Sequence, residues 1–155
     1  MMYDEELTGF ERALNEIKRI DHLIYVSLKY TRTVDVIRNI IQRMLNAYDF
    51  IFEDLLTQAE AQQKIFEKPT VPSLKLAALK KLHKDDAQLM EHMEFYAFLR
   101  QLMHAPYEKR QEYRRHVTMT STFPNAKQHE INIDIISEYY HKIKAFFEYM
   151  QQTYR

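Results

Sequence analysis

The chain holds a single glycine, Gly9, in 155 residues. Sheets and hairpins draw on glycine for left-handed and tight-turn positions, and the four prolines add few sharp reversals. The expectation is therefore an all-α protein. At this length one domain, residues 1–155, can bury a core without staples, and with no cysteine present disulfides and thiolate metal sites are excluded.

Hydrophobic spacing fills in the elements. Leu7, Phe10, Leu14, Ile17 and Ile24 recur at three- and four-residue steps and predict an amphipathic helix from Asp4 to about Lys29. A longer stripe, Val34, Ile37, Ile41, Met44, Leu45, Tyr48, Phe52, Leu55 and Leu56, follows Thr33, a natural N-cap, with Asp35 placed against the positive end of the dipole. That helix can run on to Phe66 before the prolines at 69 and 72 stop it. It would then be about 50 Å long at 1.5 Å per residue, enough to require a kink or a second subunit.

Beyond it, Ser73 to Lys81 reads as a short helix, and Asp85 with Gln88 as a capping-box-like start for the stripe Leu89, Met93, Tyr96, Leu99 and Met103. Pro106 suits the first position of a short polar helix from Tyr107 to about His116. A loop over Thr118 to about Glu130 then leads to a last helix carrying Ile133, Ile136, Tyr140, Ile143, Phe147 and Met150. The architecture expected is an up-down helical bundle of four long helices plus one or two short ones. A second apolar row on the last helix, Ile135, Tyr139, Phe146 and Tyr149, belongs either to a central, well-covered helix or to a homodimer face. A homodimer built on the last helix and the long second helix is the expectation.

Charge narrows the partners. Lysine plus arginine equal aspartate plus glutamate at 22 each, so any attraction for nucleic acid must be local. No apolar run approaches the ~20 residues a membrane helix needs, and no basic-then-apolar leader opens the chain. A cytoplasmic protein without membrane association is expected. Glycine-rich phosphate loops, serine elbows and cysteine nucleophiles are absent from the sequence, which removes nucleotide triphosphate hydrolysis, acyl transfer and thiol chemistry. The Glu138-x-x-His141 step is unpaired by a second such step, so no metal or other cofactor is expected.

What remains is the segment Tyr107-Glu-Lys-Arg-Gln-Glu-Tyr-Arg-Arg-His116, rich in cations. Arg110, followed by Gln111 and separated by five residues from His116 shortly before the last helix, resembles the motif of the HEPN superfamily of helical, often dimeric domains. In members that cleave RNA no metal is needed. The resemblance implies that His116 transfers a proton and Arg110 binds the scissile phosphate. If the segment binds RNA, its charge makes Arg114 and Arg115, with Gln111, the further RNA-contacting residues. A metal-independent ribonuclease is the enzyme so implied, and a symmetry-related subunit supplies the second proton-transfer group.

The alternative is a non-catalytic bundle for dimerisation and binding of a protein partner, in which Glu112 pairs with His116 at i,i+4. A second basic cluster, Lys29, Arg32, Arg38 and Arg43 with Tyr25 and Tyr30, suits single-stranded RNA. Alternatively it is the wet side of a helix, with Arg38 paired to Asp35.

Overall fold

The computed structural model describes residues 7–154. Thr8 opens the first helix, α1 (Gly9–His22), with a capping box: its hydroxyl accepts from Glu11 N–H, and the Glu11 carboxylate accepts from Thr8 N–H, both at 3.1 Å. The expected start at Asp4 lies outside the described residues. Asp54 adds two more acceptors at this end, for Gly9 N–H at 3.1 Å and Phe10 N–H at 2.9 Å, so α1 begins clamped to the next helix. It continues through a π-helical segment (Leu23–Ser27) into a last α-helical turn (Leu28–Tyr30). The wider turn leaves Tyr25 and Val26 exposed while Ile24 and Leu28 keep to the core.

Helix α2 (Val34–Ala61) starts where Thr33 was expected to cap it, its hydroxyl accepting from Val36 N–H at 3.3 Å. Residues on most of its circumference are buried, from Val34 and Ile40 to Ala47, Ile51 and Ala59, so it is the central helix of the molecule. It stops short of Phe66. Lys64 N–H reaches back to Ala59 C=O and Gln63 N–H to Glu60 C=O, a Schellman closure with Gln63 at φ 59°. The helix is thus about 42 Å long, and neither kink nor second subunit is needed to cover it.

Helix α3 (Pro72–Leu82) opens with proline at its first position, and α4 (Ala87–His104) is capped by Asp86, one residue beyond the expected Asp85. The Asp86 carboxylate also accepts from the hydroxyls of Tyr149 at 2.8 Å and Tyr154 at 2.6 Å, anchoring the far end of α5 (Ile133–Tyr154). The second apolar row of α5 packs against the core, with Ile135, Tyr139 and Tyr149 half-buried. Phe146 is fully buried, and Tyr139 stacks edge-on against Phe95 and Phe98.

The all-α expectation is overturned. Between α4 and α5 the chain forms a three-stranded antiparallel meander, β1 (Tyr107–Arg110), β2 (Thr118–Thr122) and β3 (Gln128–Ile131). The short polar helix over Tyr107 to His116 and the loop over Thr118 to Glu130 are both replaced.

The physical reason is local. A helix polar all round has no face to bury, whereas a strand sends alternate side chains to opposite faces. Tyr107 and Lys109 lie on the face toward α2, against Arg38 and Asp35, while Glu108 and Arg110 pair on the other face; all four stay exposed. On β2, Met119 enters the core, and Val117, Phe123 and Ile131 around it are buried. Glycine is not needed for the turns, because Gln111, Tyr113 and Ala126 take positive φ instead.

Arg38 locks this sheet to the helices. Its guanidinium lies 4.0 Å from the centre of the Tyr107 ring and donates to Met103 C=O at the end of α4 at 3.0 Å. The expected pair with Asp35 does not form; Asp35 binds Lys109 at 3.1 Å.

Candidate functional site

The loop between β1 and β2, residues 111–117, is polar but firmly held. Glu112 accepts from Val34 N–H at 3.0 Å, filling an otherwise unpaired donor at the positive end of α2. Tyr113 N–H donates to Arg32 C=O at 2.6 Å, and Arg114 N–H and Val117 N–H close turns within the loop. Gln111 and Tyr113 both sit in the left-handed region, at φ 56° and 64°. Such conformations cost ~1 kcal/mol or more for a side chain of ordinary size and persist only where surroundings impose them.

These tethers join two segments 80 residues apart in sequence. Arg32, just past the end of α1, bonds to Tyr113 and shares a cleft with Arg115 and His116; Lys29 and Tyr30 precede it in the chain. The Tyr30 and Tyr113 rings stand in solvent, 80% and 77% exposed. Among the described residues, Lys29, Arg32, Arg114, Arg115 and His116 have no carboxylate within 4 Å. A cleft of about 270 Å³ opens between Arg32, Arg115, His116 and the first residues of α5, Asn132, Ile133 and Asp134. Arg32 Nε itself is buried, and among the described residues it has no hydrogen-bond partner. Among the described residues the exposed Asp134 is the single acidic side chain lining the cleft, and Asn132 Oδ1 is engaged in capping Ile135 N–H at 2.9 Å.

The residues singled out from sequence separate here. Arg115 and His116 line the cleft, and Arg114 is exposed beside them. Gln111 is exposed, and its C=O accepts from Arg114 N–H. Arg110 pairs in register with Thr118, which sets it and His116 at the neck of one loop instead of the ~120° apart that a helix would impose. Its guanidinium nevertheless turns to Glu108 at 3.2 Å on the solvent face of the sheet, away from the cleft that His116 lines. Glu112 does not pair with His116; its partners are Val34 N–H and, at 3.9 Å, Lys109.

Of the other basic cluster, Arg43 is drawn 3.4 Å from the buried Glu16, and Arg38 holds the sheet. Arg32, named in that cluster from the sequence, is brought to the β1–β2 loop by the bond to Tyr113, which spacing could not reveal.

Interior histidine is a separate matter. His92 lies in the core, stacked on Phe146 at 4.0 Å, with Nδ1 2.7 Å from Tyr48 Oη. Burial lowers its pKa to about 4 and raises that of Tyr48, so both stay neutral near neutral pH. Glu138 and His141 gain no further ligands: among the described residues no group of three or more His, Asp or Glu side chains could hold a metal ion. None of the described helices is long and apolar enough to cross a membrane. Comparison of the chain with protein-family models, curated protein sequences and solved structures finds no match.

Proposed function

We propose that the chain binds single-stranded RNA on the surface made by the end of α1, the β1–β2 loop and the start of α5. The observation that carries this reading is the bond from Tyr113 N–H to Arg32 C=O, which gathers unpaired cations around one cleft with an exposed tyrosine from each segment. A phosphate in the cleft would pair with the Arg32 and Arg115 side chains that line it, while bases stack on Tyr30 and Tyr113 at ~1–3 kcal/mol each. Because the chain carries no net charge, the attraction is confined to this patch.

The HEPN resemblance extends the proposal to cleavage. His116 would take the proton from a ribose 2′-hydroxyl, and Arg110 would exchange Glu108 for the scissile phosphate. Exposed ion pairs are weak, so a phosphate can compete for Arg110. A homodimer would bring a second His116 for the leaving group.

The test is fluorescence anisotropy of a labelled unstructured RNA at low salt, with Arg32→Gln and Arg115→Gln, followed by incubation in EDTA. Binding should be detectable, and each variant should weaken it about tenfold, a loss of ~1.4 kcal/mol. Removing His116 should spare binding and stop any cleavage. Undetectable binding at low salt, or binding indifferent to both arginine substitutions, would defeat the proposal. In that event the interaction-bundle reading stands, supported by the exposed apolar side chains Phe66, Val71 and Leu74 around the α2–α3 connection.

A further inference from the structure

A larger cleft, about 570 Å³, lies between α2, α3 and α4 and shares no residue with the basic surface. Its volume falls within the usual ~300–1,000 Å³ of small-molecule sites. Leu45, Phe52, Leu76 and Met103 give it apolar walls. Four charged side chains of balanced sign line it, Asp49 and Glu53 against Lys75 and Arg100, with His104 beside them.

These charges are not equally free. Glu53 is occupied by Lys68 at 2.8 Å and Lys75 at 3.3 Å, and together they hold its carboxyl below the usual range. Asp49 gives one oxygen to the Tyr96 hydroxyl at 2.6 Å, and among the described residues no second donor reaches it. Arg100 lies over the Tyr96 ring, 5.8 Å from its centre, and among the described residues no carboxylate is within 4 Å of it. Arg100 and Tyr96 are one turn apart on α4, so Arg100, which already interacts with the Tyr96 hydroxyl and with Asp49, and the half-used Asp49 carboxylate flank the same tyrosine.

We infer that this cleft binds a small zwitterion with an apolar body, of the chemical class of the hydrophobic α-amino acids. The ligand's carboxylate would pair with Arg100, whose fork of donors matches it. Its ammonium group would take the free oxygen of Asp49, and its side chain would replace water against Leu45, Phe52 and Met103. A plain carboxylate would suffer repulsion from Asp49, and a plain amine from Arg100. A balanced pair of charges selects the ligand that carries both, which is discrimination by repulsion as much as by attraction.

Isothermal titration calorimetry on the full chain tests this with three probes: L-phenylalanine, 3-phenylpropanoate, which lacks the amine, and phenethylamine, which lacks the carboxylate. L-Phenylalanine should bind saturably in the millimolar range or tighter, and each half-ligand about tenfold more weakly. Arg100→Gln and Asp49→Asn should each cost about tenfold for L-phenylalanine, while Asp49→Asn should narrow the gap between it and 3-phenylpropanoate. No saturable heat with L-phenylalanine at millimolar concentration overturns the inference, and so does equal binding of all three probes. Chemical-shift mapping on the unsubstituted chain provides a readout independent of variant folding. Perturbations should centre on Tyr96, Arg100 and Met103, and shifts centred elsewhere overturn the assignment.

Discussion

The Tyr48 hydroxyl sits 2.7 Å from His92 Nδ1 inside the core, where the histidine is 4% exposed and its pKa falls to about 4. An unfolded histidine titrates near 6.5, so between those values the unfolded chain binds more protons than the folded one. Stability from this residue is complete above pH ~6.5 and is lost as pH falls toward 4. Urea denaturation should lose about 1.6 kcal/mol between pH 6.5 and 5 from this group, the slope rising toward 1.36 kcal/mol per unit as the unfolded histidine becomes protonated. The loss should shrink in His92→Asn, and equal pH slopes for the two proteins would show that His92 is not the group responsible.

Arg38 joins β1, β2 and the end of α4 through one guanidinium, with Met103 C=O at 3.0 Å, Met119 Sδ at 3.5 Å and the Tyr107 ring at 4.0 Å. Arg38→Ala should destabilise the fold by about 2–3 kcal/mol, the scale of a charged hydrogen bond lost together with a cation–π contact. Lysine cannot reproduce the planar fork, so Arg38→Lys should recover less than half of that. Thermal melts of the two variants decide the point, and full rescue by lysine would reduce Arg38 to a simple charge.

Gly9→Ala reverses the usual sign of such a change. Inside a helix alanine normally gains ~0.5–1 kcal/mol over glycine. Here the added methyl would collide with Phe50 C=O and the Asp54 carboxylate, because Asp54 draws the start of α1 onto α2. A loss of about 1–3 kcal/mol is expected from overpacking, read as a lower denaturation midpoint at unchanged slope. A gain would mean that the two helices are not so closely apposed.

Tyr113 tests the RNA-binding proposal apart from stability. Its ring is exposed and its backbone is held at φ 64°. Glycine tolerates that conformation but raises the entropy of the unfolded chain, so Tyr113→Gly should leave stability within about 1 kcal/mol. RNA affinity should fall at least about fivefold through the lost stacking. The slope of log affinity against log salt should stay unchanged, since the phosphate contacts remain. A slope that falls along with affinity would place the ring's effect on loop geometry instead of on bases.

The sequence by itself determined the helical frame. The spacing of Val34, Ile37, Ile41, Met44 and Tyr48 permits one buried stripe, and Thr33 supplies the acceptor that starts the helix. It also established the limits of charge and of membrane-spanning length. Tertiary structure decided the β-meander, because Tyr107 to Arg110 has no strong pattern of its own until Arg38, Asp35 and β2 provide partners. Scarcity of glycine misled there, since Gln111, Tyr113 and Ala126 absorbed the positive φ values. Tertiary structure also decided where the cations go. Arg38 and Arg43 belong to the same basic cluster as Arg32, yet they were drawn to Met103 and Glu16, while Arg32 was left with a buried donor unfilled. Spacing gives the face a side chain occupies on its own helix; which partner reaches it across 80 residues of chain is fixed by how the elements pack.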